Sequence, residues 1–401
     1  MAKSEIDLGP KPRQIKSVLM VIPYFAPAWS YGGVVRVAYN QACELVKRGI
    51  KVTVATSDAG DAPHRINKTA ETIDGIQIVR FRNPSNNLAK FHNFYLPFGF
   101  AGWMKKNVKN FDVVHCHDYF TVQNIITSRV CVANDVPYVV QPHGVLSLVS
   151  RQAKLSWVKT TFIRLFHRIV DRANAVIALS PKELSDISVL YPSVKSKVVV
   201  VTNGVDPLEF LDVPKVNLVQ KFDLAPESKV ISFVGRIQYI KGLDIAFQVI
   251  KQLKKPGMNV VFLIIGPDEG EKANLDKLAL ELKISDNVIY TGLLSGKEKL
   301  SVVKSSDLFL LMSRSEGIPM TVLEASALGV PVVCSKDCNL PEIEQMGVGR
   351  VVDDVGSAVE AASQILSNTD LQKTLQKNTV RFVDHFSLSN SVSKLIKTYQ
   401  I

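Results

Sequence analysis

At 401 residues the chain exceeds one ordinary domain, and two domains of about 200 residues are the natural division. Hydrophobic residues make up 46%, enough for well-buried cores and too many for extended disorder. The net charge of +11 favours an acidic surface, an anionic substrate or nucleic acid, but no basic run interleaved with aromatics points to nucleic acid, which is set aside.

The five cysteines are scattered and form no disulfide framework, and Cys334 and Cys338 have no neighbouring histidines for a zinc site. Met1–Glu5 has no apolar run behind it as a signal peptide would. The longest apolar runs, such as Val260–Ile265, are strand-length and too short for a bilayer. A cytoplasmic protein is the expectation.

Val18–Ile22 reads as a buried strand, and after Pro23–Pro27 the pair Gly32-Gly33 opens a helix that stops at Gly49. Glycines there let the main chain approach a phosphate at the positive end of a helix, although a plain flexible turn has the same composition. Strands follow at Ile50–Ala55 and Ile76–Phe81. Phe111–Asp118 is a strand ending in His115 and His117, which share one face. No third metal ligand has suitable spacing, so capping and loop packing are expected of them. Pro137–Gly144 repeats the theme: His143 precedes a glycine at a strand end, where an imidazole can meet a ligand or serve the structure alone.

Residues 151–172 carry six Lys/Arg against Asp171, with Leu155, Trp157, Phe162, Leu165, Phe166 and Ile169 as the apolar part. Such a helix can rest on anionic headgroups or pack its stripe on a sheet. The stripe is as broad as a core-facing helix needs, which favours packing. Ala175–Leu179 and Lys197–Val201 are further strands, and Asn203–Asp206 with the segment through Pro207 and Pro214 reads as an interdomain linker.

Lys229–Val234 restarts the pattern, ending in Gly235-Arg236, with Lys241-Gly242 five residues past the arginine at the next helix. A guanidinium fork and an ammonium bracketing one strand-to-helix loop can face a single anion. Strands at Asn259–Gly266 and Asn287–Gly292 follow, the former leading into Pro267–Gly270. Asp307–Met312 is a buried strand, after which come Glu316, Gly317 and Pro319, then a helix closed by Gly329 and Pro331. Glu316 thus lies in a strand-to-helix loop and Glu324 in the first turns of the helix. Ligands of open α/β sheets bind at such loops, where free N–H groups suit phosphate and carboxylates accept from hydroxyls. The arrangement suits a sugar nucleotide; two solvated glutamates are the alternative. Strand and helix alternate through both halves, implying an α/β chain with a parallel sheet built twice.

With these positions in hand, the chain resembles the retaining glycosyltransferases of family 4 (glycosyl transferases group 1), of GT-B fold. Phe233-Val-Gly-Arg-Ile237 with Lys241-Gly-Leu-Asp244 is similar to the family's VGR-x(5)-G-x-D pattern, and Glu316 and Glu324 match its paired glutamates. Gly32-Gly33, His143-Gly144, Asn203–Asp206 and Phe386-Ser387 fall where the family has its glycine loop, acceptor-side histidine, crossover and returning tail. Glu-Gly-Ile-Pro-Met-Thr and Gly266–Gly270 are variants familiar among polysaccharide and O-antigen (lipopolysaccharide) enzymes.

The resemblance implies two Rossmann-like domains, residues 1–206 for the acceptor and 207–384 for the sugar nucleotide, with 385–401 crossing back. It implies a UDP- or GDP-sugar donor, a glycan or lipid-linked acceptor, and no metal or other cofactor. Arg236 and Lys241 would hold the diphosphate, with Gly32, Gly33, Gly235, Gly266 and the backbone of Gly317, Ile318, Pro319, Met320 and Thr321 helping. Glu324 would take the ribose, Glu316 the transferred sugar, and His143 that sugar from the first domain. A sugar-nucleotide epimerase of the same architecture and a non-catalytic binding subunit are the competing readings. The inner face of the cytoplasmic membrane is the expected place if 151–172 binds lipid.

Overall fold

The computed structural model describes residues 13–60, 64–92, 95–146, 156–254, 258–294 and 296–401. Eight strands form the first sheet: β1 (Ser17–Val21), β2 (Lys51–Ser57), β3 (Ala70–Ile73), β4 (Ile76–Phe81), β5 (Val113–His117), β6 (Tyr138–Gln141), β7 (Ala175–Ala178) and β8 (Val198–Val200). Their order is β3-β4-β2-β1-β5-β6-β7-β8. All pairs are parallel except β3 with β4, an antiparallel edge that the sequence reading did not anticipate. β3 alternates exposed and half-buried residues and has no apolar run to announce it.

The second sheet holds β9 (Lys229–Val234), β10 (Val260–Ile265), β11 (Val288–Gly292), β12 (Leu308–Leu311), β13 (Val332–Ser335) and β14 (Gly349–Val352). The order β11-β10-β9-β12-β13-β14 is the doubly wound arrangement, reversing between β9 and β12. β10 and β12 are buried along their whole length, as strands covered on both faces must be. The structure thus has two parallel-sheet α/β domains, each with its own core.

The chain passes between the lobes twice at one place. Val205 N–H donates to Phe386 O at 2.9 Å, and Leu388 N–H donates to Val205 O at 2.8 Å. A Cβ on Gly204 would come within 2.8 Å of Leu388 Cα, so glycine is needed for that approach. Ser387 caps the last helix, Leu388–Tyr399, by accepting from Asn390 N–H. Its Leu388, Val392, Leu395 and Tyr399 are buried in the first-lobe core, although the helix follows the second lobe in sequence. Arg48, at the end of the helix Gly33–Lys47, donates to Ser389 O at 2.7 Å and to Ser393 Oγ at 2.8 Å, tying the crossing helix down from outside.

Of the basic segment, residues 151–155 lie outside the described residues. The rest forms helices Ser156–Phe166 and Arg168–Asp171. Ile163, Ile169 and Val170 are buried in the first-lobe core, Phe162 and Phe166 pack against it, and Leu165 is 67% exposed. Among the described residues, no helix is long and apolar enough to cross a membrane.

Leu395 is fully buried at the seam between the crossing helix and the first lobe. Leu395→Ala should cost about 2–5 kcal/mol, the usual range for a cavity of this size. Urea unfolding followed by tryptophan fluorescence measures it; an unchanged midpoint would mean the helix does not stabilise that lobe.

Candidate active site

The strand order decides what meets. β9 and β12 are neighbours at the reversal of the second sheet, so the loops leaving their carboxyl ends face one another. Lys241 comes from the first loop and Glu316 from the second, and Lys241 Nζ lies 2.6 Å from Glu316 Oε1. Ser313 Oγ donates to the same oxygen at 2.7 Å. Both charged side chains are mostly covered, at 18% and 12% exposure, so each needs the other to avoid a stranded charge.

Arg314 holds the two loops in register. Its guanidinium donates to Asp244 Oδ1 at 2.8 Å, to Asp244 Oδ2 at 2.6 Å and to Tyr239 O at 2.7 Å, while lying 3.9 Å over the Tyr239 ring. Only a planar fork can make that set. Gly242 has φ +63°, and a Cβ there would stand 1.9 Å from Met312 O, so the glycine before Asp244 allows the loops to touch. The Glu316 backbone is pinned on both sides, its N–H donating to Asp337 O and its carbonyl accepting from Asn339 Nδ2.

Arg236 pairs with Glu269, which follows β10, at 3.1 Å, and Gln238 donates to the same carboxylate. A Cβ on Gly32 would lie 4.0 Å from Arg236 Nε, so the glycine loop of the first lobe reaches the arginine of the second. Gly33 begins the first-lobe helix. Gly235 and Gly266 touch: a Cβ on Gly266 would be 1.9 Å from Gly235 O. Their smallness is thus already required by the packing of β9 against β10.

Pro319 caps the helix Met320–Ala327. Ile318 and Met320 are buried and Thr321 is half-buried. Ile318 O accepts from Asn203 Nδ2 at 3.0 Å, a bond between the lobes. Glu324 is buried in this helix and pairs with Lys299 at 2.6 Å, a partner that sequence reasoning missed. Gly317 meets the first lobe directly: a Cβ on it would be 2.8 Å from Leu179 Cδ1, and one on Gly144 would be 3.3 Å from Gly317 Cα.

His143 precedes that contact in the left-handed region, at φ +57°. It is half-buried and crowded by protein, which lowers its proton affinity and keeps the ring neutral. The two acceptor oxygens of Glu183 take Gly144 N–H and Leu179 N–H, both at 2.7 Å, and so support both first-lobe residues that touch Gly317. Burial raises the pKa of Glu183 while those N–H groups oppose the rise. Correcting the expectation of capping and loop packing, His115 and His117 lie inside β5, fully buried, with ring centroids 4.0 Å apart. Among the described residues no three His, Cys, Asp or Glu side chains group as metal ligands.

The structure therefore joins Lys241 to Glu316, Arg236 to Gly32, and Gly144 to Gly317. Glu324 faces Lys299. Arg314, Lys299, Glu269 and Glu183 were not anticipated, although Asp244 in the expected pattern signals a partner for its charge.

Comparison with known proteins agrees with this geometry. The family described as Glycosyltransferase Family 4 matches residues 31–208, and Glycosyl transferases group 1 matches 215–382. D-inositol 3-phosphate glycosyltransferase of Corynebacterium urealyticum is 26% identical over 385 residues, covering 90% of this chain and 88% of the relative. Sucrose-phosphate synthase of Thermosynechococcus elongatus superimposes with TM-score 0.75 at 18% identity, covering 96% of this chain and 98% of its own. HepE of Anabaena, solved with UDP and glucose, gives 0.73 at 18% identity, covering 96% and 99%. With two family matches spanning both lobes and GT-B enzymes as structural neighbours, the chain belongs to the family 4 (group 1) glycosyltransferases of GT-B fold.

Proposed function

We propose that this glycosyltransferase moves a sugar from a UDP- or GDP-sugar to a glycan or lipid-linked acceptor, with retention at the anomeric carbon. The observation that carries the reading is the meeting of Lys241 with Glu316 at the sheet reversal, with Arg236 of the same strand-to-helix loop beside Gly32 of the first lobe. In this reading the donor diphosphate takes Arg236 from Glu269 and Lys241 from Glu316. Glu316, released, accepts hydrogen bonds from the hydroxyls of the transferred sugar, while Glu324 exchanges Lys299 for the ribose hydroxyls. The N–H groups of Met320 and Thr321 begin a helix and so carry partial positive charge toward the phosphates. His143 meets the sugar from the first lobe.

The bond from the anomeric carbon to the diphosphate oxygen breaks as the acceptor oxygen attacks from the same face. The acceptor proton passes to the departing phosphate oxygen, so no separate base is required. Catalysis then consists chiefly of stabilising the charge that develops on the leaving group, by Arg236 and Lys241. The likeness to HepE with UDP and glucose supports a nucleotide-sugar donor. Phe162, Phe166 and Ile169 of 151–172 turn to the first-lobe core while Leu165 stays exposed, and no membrane contact is proposed through this segment.

Lys241→Ala and Glu316→Ala should each lower transfer by roughly 10²–10³-fold while the far-ultraviolet dichroism stays native. Full activity of either variant on the true donor would remove the site. Arg314→Lys cannot make the fork and should cost about 10- to 100-fold in kcat/KM through misplaced loops. Burial opposes ionisation of Asp244, but the hydrogen bonds and charge of Arg314 outweigh it and hold its pKa below the ordinary 3.8. The clamp therefore stabilises the fold above that value and loses its effect as pH falls through the depressed pKa. Melting temperature against pH should show a shallower acid limb in Arg314→Lys than in the parent. A thermal-shift panel of UDP- and GDP-sugars identifies the donor, because a ligand that binds only the native state raises stability by mass action. No shift with any member of the panel would reject the donor class.

A further inference from the structure

A column of buried rings runs from the cleft to the crossing helix. His143 Nε2 lies 2.9 Å from His117 Nδ1, with the two rings stacked at 14°. The His117 ring lies against that of His115, and His115 Nδ1 is 2.8 Å from Tyr399 Oη on the crossing helix. His115 and His117 are fully buried, and Tyr399 is 2% exposed. None of these three enters the transfer chemistry proposed above. Asn124 Nδ2 donates to His117 O at 3.2 Å and fixes the backbone beneath the column.

A neutral imidazole carries one donor and one acceptor nitrogen, so the close His117–His143 pair shares a single proton. Two arrangements are open. If His143 Nε2–H donates, His117 must carry its own proton on Nε2. That atom is buried with no hydrogen-bond partner among the described residues. Orphaned buried N–H groups are rarer than orphaned acceptors, so this arrangement is disfavoured. If His117 Nδ1–H donates instead, only a lone pair is left unmet, and His143 must hold its proton on Nδ1. The hydrogen bond made by one ring nitrogen thus decides what the other offers.

We infer that His117 is a positioning residue that fixes His143 as its Nδ1–H tautomer, so that the ring presents a hydrogen-bond donor to an oxygen of the transferred sugar. The contact with sugar rests on the reading of His143 given above; the tautomer does not. His115 and Tyr399 hold the His117 ring from below, which extends the positioning to the crossing helix.

Long-range nitrogen–proton NMR on the uniformly 15N-histidine-labelled free protein tests the tautomer without any substitution. The chain has seven histidines, few enough to assign by single replacements. His143 is expected to carry its proton on Nδ1, and a proton on Nε2 overturns the inference whatever the kinetics. His117→Asn keeps an N–H donor near the former Nδ1, whereas His117→Leu removes it. His117→Leu should lower kcat/KM for the sugar nucleotide about tenfold, the effect of one misdirected hydrogen bond, with His117→Asn restoring much of the loss. Affinity for the nucleoside diphosphate without sugar should not change in either variant; a matching loss there means a general structural defect and overturns the inference. An Nδ1 proton on His143 with unchanged kinetics in His117→Leu rejects instead the sugar contact of His143.

Discussion

The ion pair between Lys241 and Glu316 is the constraint on which the rest of the site depends. Each side chain is too well covered to be left alone, and each comes from a different loop. The pair exists because β9 and β12 are neighbours, and it has a usable geometry because Arg314 clamps Asp244 across the same two loops. The pattern recurs around it: Arg236 rests on Glu269, and Glu324 on Lys299. Without a donor, every proposed ligand-binding charge of the second lobe is matched by a charge of opposite sign. A ligand gains from these residues only if it replaces both kinds of partner at once. In the proposed reading a sugar nucleotide supplies phosphates to Arg236 and Lys241 and hydroxyls to Glu316 and Glu324. Inorganic phosphate would take the same two cations and leave Glu316 without its cationic partner, while Glu324 keeps Lys299. The balance therefore favours the whole donor over its fragments.

The second constraint is the closeness of the lobes. Gly144 and Gly317 face one another, and neither has room for a methyl group without displacing the other lobe or Leu179. Side-chain identity at this seam is set by distance. Glu183 lies behind it, where its carboxylate fixes the amides of Gly144 and Leu179 together. A buried acid that only takes backbone donors would be a costly way to fill space, since burial acts against its charge. Its value lies in fixing two separate strand ends against one partner loop, a task that no apolar side chain could perform.

Much of this was legible in the sequence, and the remainder fails for physical reasons. Apolar runs such as Val260–Ile265 announce themselves because a strand buried on both faces needs every residue apolar. The edge strand Ala70–Ile73 carries no such requirement and was missed. Glu316, Glu324, Arg236 and Lys241 could be read because loops at strand ends follow from the strand pattern. Their resting partners could not, since Lys299 and Glu269 reach them through the order of strands in the sheet, which local pattern does not encode. His115 and His117 show the opposite failure. Their alternation was read correctly, but alternation cannot say that the face they share is the interior, beneath a helix from the far end of the chain.

That distant helix also explains how two lobes with separate cores keep a common geometry. The crossover at Gly204-Val205 and the tail at Phe386–Leu388 are bonded side by side, so the chain forms a double tether between the lobes. Asn203, next to Gly204, donates to Ile318 O at 3.0 Å, so the crossover also holds the loop in which Gly317 meets Gly144. The crossing helix is buried in the first lobe and covalently continuous with the second, so its register is fixed by both. Tyr399 lies near its last turn and touches His115, whose ring lies on His117 and through it faces His143. The helix that follows the crossing therefore also borders the column that leads to His143. Ring stacking and two short hydrogen bonds give that border a defined geometry, which a core of aliphatic side chains free to exchange rotamers would not supply.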